Sequence, residues 1–427
     1  MTVIASTAGE SVPAPAHALP GISSADRVAV DAALAELGQP RYRAGQLADA
    51  VWRSPASSWD EVTTFTKELR LELAHRFRFD TVAETEIRPA DGGLTEKALH
   101  RLVDGQLVES VLMRYPGREG RRERHTLCIS SQAGCAVGCP FCATGELGYG
   151  RDLAVAEIVD QVRHAARRLA TRSAHLTNLV FMGMGEPLLV LDEVLAAASI
   201  LTDPARFGLG ARHLAISTSG VVPGIERLTA LRPQWTLAVS LHAARDPLRD
   251  LLVPLNRRWP VVAVVAAASA YQAATGRRVS YEYVLIDGIN DTAADAAALV
   301  RLLEGRGSHL NLIPMNPVAH TPWQASPPER VRAFATRVAT AGIGVTVRQN
   351  RGQEVGAACG QLAAERTGEP SAASVAGRQS RLVAASAAAL RSVEPRAAFR
   401  SVGTGAPRAP RPAGRGGERG MSPRRTG

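Results

Sequence analysis

From Thr126 to Arg348 the chain alternates short apolar, β-branched runs with stretches of helical periodicity, and this alternation constrains the fold more than any other feature. Strands are expected at 126–130, 178–182, 213–217, 236–241, 280–286, 309–313 and 344–348, with helices between them, for example 155–169 and 192–201. Repeated β–α units cross over and build a parallel sheet, either open or curled into a barrel. In such folds the reactive groups gather at the C-terminal ends of the strands. The unusual residues of this chain fall there. The first strand is followed by three cysteines, the second by Gly183-Met184-Gly185-Glu186-Pro187, the third by Ser217-Thr218-Ser219-Gly220 and the fourth by Ser240-Leu241-His242. The sixth ends in Pro314-Met315-Asn316-Pro317, and the seventh leads through Asn350-Arg351-Gly352 to Cys359.

The three cysteines, Cys135, Cys139 and Cys142, are spaced Cys-x3-Cys-x2-Cys with Gly134, Gly138 and Pro140 among them. Thiolates converging on one centre need a tight, irregular backbone, which glycine and proline supply. Three ligands are one short of a tetrahedral zinc site or a cubane cluster. Either a distant residue closes the set or one metal position is left open for chemistry. Cys128 is a candidate fourth thiolate for zinc, although an apolar strand more often holds cysteine as a core residue. With Cys359 the chain has five cysteines, an odd and clustered number that argues for reducing conditions rather than a disulfide framework.

Upstream, residues 26–77 read as a small helical module with no cluster of chemical residues. Strand-like runs at 97–103 and 107–115 flank Asp104-Gly105, a hairpin signal. Glu109 lies in the second run, amid Leu107, Val108, Val111 and Leu112. A carboxylate buried there is costly unless paired, which makes it a candidate acid or base; the plainer alternative is an edge residue reaching water. The expected organisation is a disordered start (1–24), a helical accessory domain (25–90), an α/β core with an entry hairpin (91–365) and a disordered Arg-rich tail (366–427). That tail holds twelve Arg against three Glu, so it carries nine of the ten surplus positive charges and leaves the body nearly neutral. Any RNA-binding surface on the body must therefore come from local patches. No apolar run is long enough to cross a bilayer and the start has no signal-peptide pattern, so a cytoplasmic protein without membrane contact is expected.

The cysteine loop with Phe141 inside it, followed in register by the Gly-Met-Gly-Glu-Pro turn, resembles the radical S-adenosylmethionine superfamily. The match narrows with Thr126-Leu127-Cys128, Ser217-Thr218-Ser219-Gly220-Val221-Val222-Pro223, Ser240-Leu241-His242 and Asn350-Arg351-Gly352 before Ala358-Cys359-Gly360-Gln361-Leu362. Together with Gly38-Gln39-Pro40-x-Tyr42-Arg43-x-x-Gln46, these look like the bacterial dual-specificity RNA adenine-C2 methyltransferases, over roughly residues 25–362. The resemblance does not extend to the start or the tail, and the loop 116–124 is longer than the family usually has.

The resemblance implies a partial (β/α)6 barrel carrying one [4Fe–4S] cluster on Cys135, Cys139 and Cys142, with two S-adenosylmethionine molecules used per turnover. It implies cofactor contacts at Gly185, Glu186, Ser217, Ser240, Leu241, His242 and Asn316. Cys359 is the implied S-methylcysteine, Cys128 the thiol that resolves it through a transient disulfide, and Glu109 the proton acceptor. The implied substrates are adenosine 2503 of 23S rRNA, at the peptidyl-transferase centre, and adenosine 37 of tRNA, with an electron donor such as flavodoxin. Two alternatives remain: the related adenine-C8 methylase that confers antibiotic resistance, and a non-enzymatic, zinc-bearing RNA-binding module.

Overall fold

The computed structural model describes residues 19–53, 56–117, 120, 122–319 and 321–363. The expected tail 366–427 and residues 1–18 of the expected start lie outside them.

The chain begins with three helices, α1 (Arg27–Glu36), α2 (Tyr42–Ala48) and α3 (Lys67–Ala74). Asp26 caps α1 by accepting from the Val28 amide, and Thr66 caps α3 by accepting from the Leu69 amide at 3.2 Å. Leu34, Leu47, Val51, Trp59, Phe65, Leu73 and Phe77 form a small core of their own. Residues 19–24, assigned above to the loose start, are in fact part of this module. Gly21 bridges to Arg78, the Ile22 amide donates to the Arg78 carbonyl at 2.8 Å, and the Ile22 side chain is buried in the module's core. A terminal segment that inserts an apolar side chain and pairs its backbone is tied down whatever its composition.

Three antiparallel strands follow: β1 (Val82–Ala90), β2 (Thr95–Leu102) and β3 (Leu107–Tyr115). The strand β1 falls in the span assigned above to the helical domain, yet it hydrogen-bonds to β2 along its length. Next come β4 (Arg124–Ile129), the short pair β5 (Gln132–Gly134) and β6 (Tyr149–Asp152) around helix α4 (Ala143–Leu147), and helix α5 (Val155–Ala170). The alternation then proceeds through β7 (Asn178–Phe181), α6 (Leu191–Thr202), β8 (Leu214–Thr218), α7 (Val222–Leu231), β9 (Thr236–Ser240), α8 (Asp246–Leu252) and α9 (Val261–Thr275). It closes with β10 (Ser280–Leu285), α10 (Ala293–Leu303), β11 (His309–Pro314), α11 (Pro328–Thr340) and β12 (Gly344–Val347).

Among the described residues the main sheet has ten strands in the order β1-β2-β3-β4-β7-β8-β9-β10-β11-β12. The seven from β4 onward that were expected from sequence are all present and parallel to one another. One face of these strands is apolar: Leu127, Leu179, Ile216, Leu237, Tyr283 and Leu312 share it and are buried in one continuous core. The opposite face carries smaller and polar residues, among them Cys128, Ser217, Ser240 and Glu282. The helical module docks on two cations of α5, Arg163 and Arg167, both of which donate to the Ala56 carbonyl. Arg163 is buried, stacks on Phe79 and donates to the Phe79 carbonyl at 2.9 Å and to Asp160 at 2.7 Å. Among the described residues no helix is long and apolar enough to cross a membrane.

Candidate active site

The loop after β4 is folded back on itself. Gly134 and Gly138 take positive φ, and a side chain at Gly145 would strike the Cys139 backbone at under 3 Å. This compaction holds Cys135, Cys139 and Cys142 as electrostatic neighbours. Burial pushes the Cys135 thiol up to about 12, the Cys142 and Glu186 charges adding to it. Cys139 is raised well above its ordinary value, by burial first and then by Cys142 and Cys135. Among the described residues no three His, Cys, Asp or Glu side chains are drawn together as a closed metal cage.

The Gly-Met-Gly-Glu-Pro turn after β7 is stitched onto this loop. The Met184 amide donates to Ser130 Oγ at 2.9 Å, and the Ser131 amide donates to the Met184 carbonyl at 2.9 Å. Gly185 has φ of +98°, and any Cβ there would lie 2.8 Å from the Gln132 amide nitrogen. Only glycine permits that approach. The Glu186 amide donates to Gln132 Oε1 at 2.8 Å, and its carboxylate accepts from the amide and hydroxyl of Ser219, both at 2.7 Å. Burial raises the Glu186 pKa, and the Ser219 hydrogen bonds offset part of that rise. Ser219 is a partner that the sequence reading passed over in favour of its neighbour Ser217, which lies half-buried near the end of β8.

At the end of β9, Ser240 and Leu241 turn their carbonyls to a buried guanidinium. Arg249 of α8 donates to the carbonyls of Leu241 (2.9 Å), Ser240 (3.0 Å) and Ser219 (2.6 Å), and to Asn256 Oδ1 at 2.9 Å. Burial pulls its pKa down to about 10 although the Cys139 charge opposes this. One residue on, His242 sits at φ of +57°, an uncommon conformation for a non-glycine. Its Nδ1 accepts from the Val284 amide at 3.1 Å, and its ring meets Phe141 of the cysteine loop edge-to-face at 4.8 Å. Burial and the Arg249 charge lower its pKa to about 3, so the ring is neutral.

After β12 the chain becomes a strap that crosses to β1–β3 and returns to the cysteine loop. The Gly352 amide donates to Asp91 Oδ2 at 3.0 Å, and the Asp91 amide to Glu354 Oε1 at 2.8 Å. Asn316 donates to the Cys359 carbonyl at 2.9 Å and accepts from Gln353 at 2.7 Å. The Ala143 amide donates to the Gly360 carbonyl at 2.7 Å, and Thr144 Oγ1 to the Leu362 carbonyl at 2.7 Å. Cys359 is thereby brought from the far end of the sheet to the cysteines. It is open to solvent yet crowded enough that burial raises its pKa, with Arg348 opposing and Glu282 and Cys142 adding to the rise. Burial pushes Cys128, in β4, up to about 12, and the Cys359 charge adds to that. All five cysteines are free thiols.

Glu109 is fully buried in an interior strand, with β2 on one side and β4 on the other, and not at an edge. Its Oε1 lies 2.9 Å from Lys97 Nζ, and its Oε2 accepts from the Ala363 amide of the strap at 3.1 Å. Lys97 also donates to the Gly356 carbonyl at 3.4 Å, so one buried cation joins carboxylate and strap. Lys97, Arg249 and Arg348 are site residues that sequence reasoning missed. No motif marks them; the only signal was that Lys97 is one of two lysines in the chain. Burial lowers the pKa of Arg348, but Cys359, Glu282, Tyr115 and Cys128 outweigh it and the net shift is upward. A separate cavity of about 250 Å³ between β1–β3 and α5, lined by His100, His164, Glu96 and Arg168, includes none of the expected site residues.

A parallel α/β sheet with a three-thiol loop after its first parallel strand and a Gly-Glu turn after its second defines a radical S-adenosylmethionine protein. The radical SAM superfamily model matches residues 129–300. The chain is 49% identical to a probable dual-specificity RNA methyltransferase RlmN from Frankia alni, over 83% of this chain and 84% of that relative. A protein of the same description from Thermobifida fusca is 49% identical over 78% of this chain and 91% of its own length. The crystal structure of a radical SAM methyltransferase from Sphaerobacter thermophilus superposes with a TM-score of 0.77 at 45% identity, covering 81% of this chain and 100% of that one. The chain belongs to the RlmN family of dual-specificity RNA methyltransferases.

Family membership implies a [4Fe–4S] cluster and S-adenosylmethionine. The donor set fits them: three soft thiols from one tight loop, with a buried carboxylate and a neutral histidine beside them. The same membership decides between an enzyme and a zinc-bearing binding module in favour of the enzyme.

Proposed function

We propose that this chain methylates carbon 2 of an adenosine in 23S rRNA, in the peptidyl-transferase centre, and of an adenosine in tRNA, through an S-methylcysteine at Cys359. The observation that carries the reading is the strap, which brings Cys359 near Cys128 and Cys142 and hands its Ala363 amide to Glu109. Cys135, Cys139 and Cys142 are the residues that would hold the cluster, and Gly185, Glu186, Ser217, Ser240, Leu241, His242 and Asn316 line the place for S-adenosylmethionine. When bound, the cluster supplies the electron that cleaves the cofactor, with two cofactors used in each turnover. A ring carbon flanked by two nitrogens is a poor nucleophile, which is why ordinary methyl transfer does not suffice.

Cys359 carries the one-carbon unit on sulfur and presents it to the base from a strap anchored on both sides. Glu109, held by Lys97 and facing the strap, accepts the proton that leaves carbon 2. Once the carbon on the Cys359 sulfur has bonded to carbon 2, the Cys128 thiolate attacks that sulfur. An S–S bond forms as the S–C bond breaks, and the electron pair stays on the carbon, which takes up a proton to become the methyl group. A thiol reductant returns the two cysteines to thiols before the next turnover. An electron donor such as flavodoxin and a cytoplasmic location fit these substrates. Asn316 has its amide engaged with Cys359 and Gln353, which makes positioning the strap its first role and a cofactor contact a second one.

The test is anaerobic turnover followed by mass spectrometry of digested rRNA and tRNA. The expected product is 2-methyladenosine; 8-methyladenosine would move the chain to the antibiotic-resistance branch. Cys128→Ala is expected to accumulate a covalent protein–RNA adduct through Cys359, and release of methylated RNA without an adduct would refute the resolving role.

A further inference from the structure

Tyr115, at the end of β3, has two guanidinium groups over one ring. The Arg124 carbon lies 4.1 Å from the ring centroid and the Arg351 carbon 4.4 Å. The two cations are therefore within about 8.5 Å of each other, the sum of those distances. Arg114 lends the cluster a backbone carbonyl, which accepts from Arg351 Nη1 at 3.2 Å. Among the described residues neither stacked guanidinium is ion-paired with a carboxylate, whereas Arg151, Arg163, Arg168 and Arg330 each grip one. A third cation, Arg348, lies within electrostatic reach of both Tyr115 and Glu282.

Stacking leaves the N–H forks of a guanidinium free at its edge, and that edge matches phosphate oxygens in a bidentate fashion. Ring contact holds each planar group in place at small entropic cost, since cation–π attraction offsets part of the repulsion between the cations. Two like charges gathered on a body with almost no net charge call for an anion. We propose that Arg124 and Arg351, stacked on Tyr115, form a clamp for the RNA phosphate backbone at the side of the barrel. This rests on the RNA reading above and deepens it. Arg351 belongs to the strap that carries Cys359, so the clamp and the methyl carrier share one segment. Tyr115 is six residues along β3 from Glu109, roughly 20 Å at strand spacing. The clamp thus holds backbone a few nucleotides from the reacting base, not the target's own phosphate.

The experiment measures binding of a tRNA transcript to the full-length enzyme across salt concentrations, for the unsubstituted chain and for Arg124→Gln, Arg351→Gln, their double variant, and Arg124→Lys with Arg351→Lys. Far-UV circular dichroism checks that each variant folds. Each Gln variant is expected to lower the slope of log affinity against log salt by about 0.7–0.9 and to weaken binding about fivefold at 0.1 M salt. The double variant is expected to lose about twice that slope, and the Lys variants, which keep the charge, to retain the original slope. The basic tail contributes equally to all of them and cancels in the differences. Folded Gln variants with the original slope would overturn the clamp while leaving the RNA reading intact. Lys variants that lose as much slope as Gln variants would overturn it as well. Absence of salt-dependent RNA binding by the unsubstituted enzyme would remove the RNA reading, and the clamp with it.

Discussion

Lys97→Met tests the buried pair at the centre of the site. The two side chains are 5% and 0% exposed with 2.9 Å between nitrogen and oxygen. At an effective dielectric of about 20 their attraction is ~6 kcal/mol. Dehydrating both ions costs several kcal/mol each, so the pair as a whole contributes little net stability. Removing only the lysine changes this balance, because the carboxylate stays dry and loses its counter-charge, at a cost of about 3–5 kcal/mol. The strap also loses the Gly356 hydrogen bond. Lys97→Met/Glu109→Leu, which replaces both ions with apolar groups, is expected within about 1–2 kcal/mol of the parent. The assay is anaerobic urea unfolding followed by far-UV circular dichroism, read as a double-mutant cycle. Glu109→Leu alone leaves the lysine unpaired at a similar cost of about 3–5 kcal/mol, so the expected coupling is at least about 4 kcal/mol. A single variant within about 1 kcal/mol of the parent, with no coupling, would mean that water reaches the pair and that the burial argument is wrong.

Three further outcomes follow from the same geometry. Gly185→Ala places a Cβ against the Gln132 backbone and is expected to weaken S-adenosylmethionine binding at least about tenfold, or ~1.4 kcal/mol, by isothermal titration; unchanged affinity would refute the close-approach role. Arg249→Met strips a buried donor from three carbonyls and Asn256, with an expected loss of about 3 kcal/mol or more on urea unfolding. His242 takes up a proton only near pH 3 in the folded chain, whereas an unfolded imidazole does so near 6.5, so its share of stability is intact above about pH 6.5 and declines as pH falls. By pH 5 about 2 kcal/mol of that share is lost, and the stability gap between the parent and His242→Asn is expected to narrow by that amount between pH 7 and 5. A gap independent of pH would count against a buried neutral ring.

The parallel strands were legible because each is a short, largely apolar run between helices whose periodicity is 3.6, and because buried residues alternate along it, as Leu214, Ile216 and Thr218 do in β8. The edge strand β1 was not legible. Its Val-Ala-Glu-Thr-Glu-Ile-Arg-Pro-Ala run is mostly half-buried or exposed and carries a proline, so neither alternation nor an apolar block marks it. The same limit hid the ordered residues 19–24, whose composition is that of a loose terminus and whose order comes from pairing with Arg78. In the site, the cysteines and the Gly-Glu turn were visible because their chemistry forces unusual residues into fixed local spacing. Arg249 and Arg348 were not, since a buried arginine is defined by the oxygens and charges around it, and those lie on other strands.

By itself the sequence determined the class of fold, the three-thiol loop and the candidate role of Glu109, because each depends on residue type and short-range order. Whether Glu109 reached water or sat dry against a cation was decided only by the register that sets β3 between β2 and β4. Where Cys359 lies relative to the other cysteines was decided by the strap, which seats it near Cys128 and Cys142. Those are contacts between segments up to some 230 residues apart in the chain. Chain pattern encodes what each segment buries, but the distance between two segments is set by the packing of everything between them.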